Sequence, residues 1–292
     1  MLANPSAYLN GEKIPAAEAQ VSAFDLGFTM GVSVTEQIRT YARQTPLLGR
    51  HLDRLFGGLA IIGLTAPFSR EALTTQVADL IDENGNALAV QYELGIGICI
   101  TPGLASAYGE TNAGPTTLVY TYELKRADQA AAIARGIRLM SVVTTEIPAS
   151  SVPKSLKCRS RMHYYLAEQQ ARAADPDSRA LLHDQDGFVA EGTTASVIMV
   201  SGGQIIAPLK EAVLPGVTLG YAMELAEQLG IPVQRRDITK AELESADEVM
   251  WLTTPVGIVP VTHVNGHVIN DNSSGNFTRR LSEAWDLALY SG

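Results

Sequence analysis

Apolar and polar positions along the chain fall into two textures. The first opens with "AYLNGEKIPAAEAQVSAFDLG", where Asn10-Gly11 is the dipeptide that closes a tight antiparallel hairpin. "GVSVTEQIRTYA" alternates at period two and predicts a strand, and "GRHLDRLFGGLAIIGL" repeats its apolar residues every three to four positions and predicts a helix. A second helix is predicted in "SREALTTQVADLIDENG", with Ser69 as N-cap and Gly85 as the stop. Two strands, "LAVQYELGIGICIT" and "PTTLVYTYEL", follow, and "KRADQAAAIARG" breaks the strand texture as a connector.

The second texture starts with the strand "IRLMSVVTT", leads through "SVPKSLKCRSRMHYYLAEQQARA" into a helix, and continues as a meander. Its strands are "RALLHD", "FVAEGTTASVIMV" and "QIIAP", turning at Asp186-Gly187 and Gly202-Gly203. Pro215-Gly216 opens the helix "GVTLGYAMELAEQLG", and Thr239 with Glu242 forms a capping box ahead of "ITKAELESAD". The strand "EVMWLTTP", a hairpin at Asn265-Gly266 and the amphipathic helix "NFTRRLSEAWDLALY" complete the chain. Short turns outnumber helical crossovers between strands, which predicts mixed α+β sheets over a doubly wound parallel one. The expected division is a small N-terminal domain at 1–122, a linker at 123–132 and a larger domain at 133–292.

Composition narrows the function classes. With 292 residues there is chain for two cores, and 46% hydrophobic with 18% charged residues fits a globular protein, not a disordered one. A net charge of -9 argues against a nucleic-acid surface, which needs basic residues to displace counterions, and leaves small molecules as the expected partners. Cys99 and Cys158 are far apart, so neither a disulfide framework nor a cysteine zinc site is indicated. No leader-like segment and no apolar run of roughly 18 residues is present, and the expected location is the cytoplasm, with no membrane partner.

Several chemistries drop out. "GIGICI" lacks the third glycine of a dinucleotide fingerprint and opens no helix, so it reads as a buried strand. His51, His163, His183, His263 and His267 show no metal-ligand spacing, and no metal is expected. "EGTTAS" is not a nucleophile elbow.

Three features remain that fit one cofactor. Lys157 lies between Leu156 and Cys158, close to Arg159 and Arg161, and such neighbours favour a partly neutral, nucleophilic amine. By position alone it also reads as a lysine snorkelling at a helix start. Glu191 alternates with Phe188 and Ala190 toward an interior or strand-end position; a buried carboxylate needs a cationic partner, and a pyridinium nitrogen is one. "LPGVT" starts a helix, so the amides of Val217 and Thr218 lie at a positive helix end suited to phosphate. Together the three describe a pocket for pyridoxal 5'-phosphate.

"HLDRL", the lysine stretch, "EGTTASV", "LPGVT" and "TTPVGIVPV" stand in an order and spacing that resembles the class IV aminotransferases, the fold type IV pyridoxal phosphate enzymes, over nearly the whole chain. The resemblance implies a small N-terminal α/β sandwich and a larger C-terminal mixed-sheet pseudo-barrel. It implies that Lys157 holds the cofactor as a Schiff base, that Glu191 holds the pyridine nitrogen, and that Arg54, the amides of Val217 and Thr218 and the hydroxyl of Thr254 bind the phosphate. Family members place the active site between the two domains, closed by loops of a partner subunit, so a homodimer is implied. Counting back from "AEQQA" selects Lys157 over Lys154, which is expected to be a solvated loop residue.

Within the family the chain looks most like a D-amino-acid transaminase, exchanging an amino group between a D-amino acid and a 2-keto acid. It departs from that group in carrying Ile100 and Thr101 where a carboxylate-gripping arginine is usual, and Ser33 where a tyrosine is usual. The cations left for the substrate carboxylate are Arg39, Arg159 and Arg161, and some activity on (R)-amines, which need no such grip, is implied. "GVSVTEQIR" resembles the branched-chain L-amino-acid group, but "KCRSRM" lacks that group's Gly-Gly-Asn-Tyr run. Arg161, four places after the lysine, resembles the aminodeoxychorismate lyases. Outside enzymes, a cofactor-binding regulatory or storage protein is the alternative.

Overall fold

Asn10 and Gly11 take φ of 52° and 88°, the left-handed pair that closes a two-residue hairpin between β1 (Ser6–Leu9) and β2 (Glu12–Pro15). They begin the first of two units in a computed structural model that describes residues 2, 4–86, 88, 89, 91–105 and 114–290. The first unit comprises Met1–Asp128 with Ser155–Ser160; the second comprises Gln129–Lys154 with Arg161–Gly292.

In the first unit the single-turn helix α1 (Leu26–Thr29) is capped by Asp25, whose carboxylate accepts from the Gly27 N–H. Strand β3 (Val34–Arg39), helices α2 (Leu48–Ile61) and α3 (Arg70–Asn86), and strands β4 (Tyr92–Thr101) and β5 (Thr116–Lys125) follow. The five strands form an antiparallel sheet in the order β2-β1-β5-β4-β3. Val34 and Ile38 of β3, Ile96, Ile98 and Ile100 of β4 and Val119 of β5 share its apolar face. Leu52, Leu55 and Leu59 of α2 and Leu73, Val77 and Leu80 of α3 pack on it, their three-to-four spacing forming one stripe per helix. Each such side chain, fully buried, stabilises the unit by roughly 1.5–3 kcal/mol.

The opposite face of β4 carries Gly95 and Gly97, in register with Tyr122 and Tyr120 of β5. A Cβ at either glycine would overlap the facing tyrosine ring. The "GIGICI" run therefore buries its isoleucines on one side and leaves room for two rings on the other.

Helix α4 (Arg126–Arg135) spans the boundary between the units. The stretch 123–132 thus holds the end of β5 and most of a helix: Ala130, Ala131 and Ala132 have high intrinsic helix propensity, and Gly136 at φ 70° stops the helix after Arg135.

The second unit runs β6 (Ile137–Ser141), α5 (Met162–Ala174), β7 (Ser178–His183), β8 (Val189–Gly192), β9 (Ala195–Ser201), β10 (Gln204–Ala207), α6 (Val217–Gln228), β11 (Val233–Arg235), α7 (Lys240–Glu244), β12 (Glu248–Thr253), β13 (Gly257–Val264), β14 (His267–Val268) and α8 (Asn276–Tyr290). Strands are ordered β11-β10-β9-β12-β13-β6-β7-β8, with β14 on β13. A further β8–β9 pairing closes the sheet on itself through β9, β12, β13, β6, β7 and β8. β6 runs parallel to β13 and β7, and β11 to β10; the other pairs are antiparallel, so the sheet is mixed and the fold class is α+β. Leu139, Leu181, Val197, Met199 and Trp251 are among the side chains that fill its core.

The predicted single strand "FVAEGTTASVIMV" is two strands. Thr193 and Thr194 turn the chain, pairing Gly192 with Ala195 and Glu191 with Ser196. Ala167 and Ala171 of α5 pack against Ala180 and Leu182 of β7. The capping box of Thr239 and Glu242 is present at α7. Among the described residues no helix is long and apolar enough to cross a membrane.

Candidate active site

Lys157 stands in non-helical backbone ahead of α5, which begins at Met162. The segment around it is tied to the strand region of the first unit. The Thr35 N–H donates to the Lys157 carbonyl at 2.8 Å, the Arg159 N–H to Ser33 Oγ at 3.0 Å and Ser160 Oγ to the Gly31 carbonyl at 2.7 Å. Leu156 packs into the first unit's core, where Gly58 of α2 leaves space for it and for Val34. The backbone around Lys157 is therefore held on both sides of the residue. Ser33 serves as the buried acceptor that fixes the segment.

Beside it lies a buried ion cluster. Glu36 is on the same side of β3 as the core residues Val34 and Ile38, and a carboxylate there needs cations. Arg54 supplies them from α2, with Nε 2.7 Å from Glu36 Oε1 and Nη2 2.8 Å from Oε2. His51, one turn earlier, places Nδ1 2.8 Å from Glu36 Oε2. Burial alone would raise the Glu36 carboxyl; the Arg54 charge and hydrogen bonds, joined by His51, overcome it and hold it at about 2. Burial lowers the His51 imidazole, against the pull of Glu36. Glu36 thus orients Arg54, the sequence-predicted phosphate ligand. Sequence reasoning missed Glu36, although an acid between two core positions of a strand, with His51 and Arg54 three apart on a helix, is a readable signal.

On the other face of this sheet, Arg39, Gly95 and Tyr122 form one cross-strand row, and Gln37, Gly97 and Tyr120 the next. Arg39 is buried, donates from Nε to the Thr40 carbonyl and stacks 4.4 Å from the Tyr41 ring centroid. Arg159 Nη2 reaches Tyr120 Oη at 3.4 Å. Burial, with Tyr120 adding to it, pushes the Tyr122 phenol up to about 12, so it is a neutral hydrogen-bond donor.

The second unit carries a further set of the sequence-predicted residues. Glu191 on β8 is buried; its Oε1 accepts from Tyr164 Oη at 2.7 Å and its Oε2 from the Leu214 N–H at 3.3 Å. Burial first, and then the charge of Glu146, raise its carboxyl to about 7, against the Tyr164 hydrogen bond, Lys154 and the Leu214 N–H. Its cross-strand partner Ser196 also pairs with Leu252 of β12, and Gly216 approaches Ser196 so closely that a Cβ there would lie 2.7 Å from its Oγ. Gly216 is the N-cap of α6 and no side chain caps the helix, which leaves the first-turn amides of Val217 and Thr218 without a side-chain acceptor. Thr253 Oγ1 donates to the Thr194 carbonyl at 3.2 Å, which seats the end of β12, and with it half-buried Thr254, by the same hairpin. The β8–β9 hairpin thus gathers Glu191, the helix start and Thr254. Arg161 lies at the start of α5 with its guanidinium 5.9 Å over the Tyr164 ring.

Lys154 is not the solvated loop residue expected. Its side chain is 11% exposed and its Nζ pairs with Glu146 Oε1 at 3.0 Å. A charge that deep persists because its partner is equally buried, and that partner lies eight positions upstream, where no local pattern announces it. Tyr164 and Glu146 were likewise invisible as parts of a site.

Residues 33–264 match the family model described as amino-transferase class IV. A Methanocaldococcus jannaschii protein named, provisionally, as a branched-chain-amino-acid aminotransferase is 29% identical over 291 residues, covering 97% of this chain and 98% of its own. The D-alanine aminotransferase of Bacillus licheniformis is 27% identical over 285 residues, covering 97% and 96%. The crystal structure of a T.th. branched-chain amino acid aminotransferase with pyridoxamine 5'-phosphate covers 100% of this chain and 96% of its own at a TM-score of 0.91 and 26% identity. The chain belongs to the class IV aminotransferases. It is a transaminase whose cofactor is pyridoxal 5'-phosphate.

The second unit's residues fit that cofactor. Glu191 is a buried carboxylate whose two hydrogen-bond donors are both neutral, and a protonated ring nitrogen would supply the missing positive charge. The helix start without a side-chain cap fits the phosphate dianion.

Proposed function

We propose that this transaminase moves an amino group between a D-amino acid and a 2-keto acid. The observation that carries the reading is the polar face of the first unit's sheet, where Arg39, Tyr120, Tyr122 and Arg159 are brought together over two glycines. Guanidinium and phenol groups suit a carboxylate, which amino acids of either hand carry, and disfavour a branched aliphatic side chain, which would have to desolvate them without return. The face thus speaks for a polar occupant, and the hand rests on the D-alanine relative. Arg39, Arg159 and Arg161 are the candidate carboxylate grips. The 27% identity to a D-alanine aminotransferase supports the D reading. A branched-chain L-amino-acid reading is the second, favoured by the TM-score of 0.91 to the T.th. enzyme.

The roles follow from the donor set. Lys157 would anchor the cofactor through Nζ and, once released, would take the proton from the substrate Cα and deliver it to the cofactor carbon that keeps the amine. Glu191 accepts the ring N–H and keeps that nitrogen charged. Arg54, aimed by Glu36, binds phosphate with the amides of Val217 and Thr218 and the Thr254 hydroxyl. Bound pyridoxal phosphate supplies the electron sink for the charge left at Cα. Some turnover of (R)-amines follows if the carboxylate grip is dispensable.

We also propose a homodimer in a reducing cytoplasm. Phe24, Phe28 and Met30, at 73%, 77% and 67% exposure, crowd one short stretch of the first unit, and such a patch fits an interface. Cys99 and Cys158 form no disulfide, which suits a reducing compartment.

The deciding experiment mixes the yellow holoenzyme with single amino acids in a stopped-flow spectrometer and follows conversion to the pyridoxamine form. D-alanine or D-glutamate is expected to react much faster than any L-enantiomer. Fastest reaction with L-leucine or L-valine establishes the branched-chain reading instead; consumption of aminodeoxychorismate alone, with pyruvate released, establishes a lyase.

A further inference from the structure

Glu191 sits at one end of a chain of buried and half-buried polar groups that belongs wholly to the second unit. Tyr164 Oη donates to its Oε1 at 2.7 Å. The Tyr164 ring packs against the His163 ring, centroids 4.1 Å apart, and His163 Nε2 lies 3.7 Å from Glu146 Oε1. That oxygen accepts from Lys154 Nζ at 3.0 Å. Glu146 is itself anchored, its N–H donating to the His183 carbonyl and its carbonyl accepting from Gln185 Nε2. Glu146 and Lys154 also line a cavity of about 420 Å³, together with Asp184, Gln185, Asp186 and Phe188, and Glu191 does not line it.

We propose that Tyr164, Glu146 and Lys154 are positioning residues for Glu191: the Tyr164 hydroxyl fixes one carboxylate oxygen, and the ion pair of Glu146 and Lys154 stands behind it through His163. The inference rests on the proposed contact of Glu191 with the ring nitrogen only for its use in the reaction; the relay itself is a property of the chain. The pull of each group on the Glu191 carboxyl has the sign this geometry demands, Glu146 raising it while Tyr164 and Lys154 lower it. From α5 the groups facing this region are Tyr164, His163 and Arg161; from β7, the His183 carbonyl; from the segment ahead of α5, Glu146 and Lys154; from the loop ahead of α6, the Leu214 amide.

A site of this construction can adjust without being touched by substrate. A carboxylate too acidic would hold the ring nitrogen weakly, and one too basic would arrive protonated and have no charge to offer. Lys154, three residues before the cofactor lysine, then has a task of its own.

The test is a pH titration of the cofactor-free protein labelled with carbon-13 at the glutamate carboxyl carbons, Glu191 being assigned by the signal lost in Glu191→Gln. Tyr164→Phe and Lys154→Met are expected to move the Glu191 midpoint up, and Glu146→Gln to move it down, each by about 0.5–1 pH unit. Opposite signs are the signature, because a general loosening of the unit moves all three the same way. Unmoved midpoints, or three shifts of one sign, overturn the relay. Should Tyr164→Phe fail to fold, the opposed signs of Glu146→Gln and Lys154→Met decide alone. The titration needs no cofactor, so it stands apart from turnover of Glu191→Gln holoenzyme, which tests the ring-nitrogen contact separately.

Discussion

Replacing Glu36 by glutamine is expected to destabilise the first unit by about 3 kcal/mol at neutral pH, and the structure gives that figure by two routes. Glu36 is wholly buried, accepts from Arg54 at 2.7 and 2.8 Å, and lies 2.8 Å from His51 Nδ1. A carboxyl held near 2 instead of its ordinary 4.5 contributes about 3 kcal/mol, at 1.36 kcal/mol per pH unit. Independently, glutamine keeps the shape but leaves the guanidinium of Arg54, 9% exposed, without Glu36's charge, and breaking a buried pair from one side costs roughly 3–5 kcal/mol. The folded-state value lies below the unfolded one, so this stability is complete above about pH 4.5 and disappears as pH falls toward 2. The assay is urea unfolding of the cofactor-free protein, read by far-UV circular dichroism near neutral pH and again in acid. Tryptophan fluorescence is the control channel, because Trp251 and Trp285 both belong to the second unit. A gap between parent and variant below about 0.5 kcal/mol, the scatter of an ordinary surface change, or a gap that does not shrink in acid, would refute the reasoning.

Three further outcomes are expected. Borohydride should fix the cofactor to Lys157, as read by peptide mass, and Lys157→Ala should take up none; an adduct on Lys154 would show that the buried pair with Glu146 is not the resting state of that lysine. Arg54→Ala should weaken cofactor retention at least tenfold in equilibrium dialysis with a smaller loss in kcat, since a phosphate grip acts alike on ground and transition states; the reverse split contradicts the role. Gly192→Ala should cost about 1–3 kcal/mol, because the new methyl overlaps the buried Trp251 ring and strains the turn next to Glu191; a parent-like melting temperature would mean the indole has room to move.

What was legible in the chain was local. The hairpin at Asn10-Gly11, the capping box at Thr239 and the buried isoleucines of β4 each declare themselves within a few residues, and the structure contains all three. Glu191 was singled out because a carboxylate in a strand that alternates toward the interior contradicts its surroundings, and it is buried. What stayed hidden depended on distant partners. Lys154 reads as a loop lysine until Glu146 is folded against it, and Tyr164 is one of a pair of tyrosines until its hydroxyl meets Glu191. The break at Thr193 and Thr194 was hidden by β-branched residues that suit a strand as well as a turn between strands. Helix α4 was passed over because its role was judged from the loss of strand pattern and its alanines were not weighed.

The order in which the two units are written along the chain has a consequence for how the protein comes into being. The first unit is interrupted: its last piece, Ser155–Ser160, is reached only after Gln129–Lys154 of the second. During synthesis, which proceeds from the N-terminus, β3 must wait for that piece before Thr35 can donate to Lys157 and Leu156 can cover Gly58 and Val34. A ribosome that stalls after Asp128 therefore leaves an unfinished core with an open flank, and a gene cut at that point should yield a fragment that binds chaperones and aggregates. The peptide that completes the first unit is also the one that carries Lys157, the residue proposed to hold the cofactor.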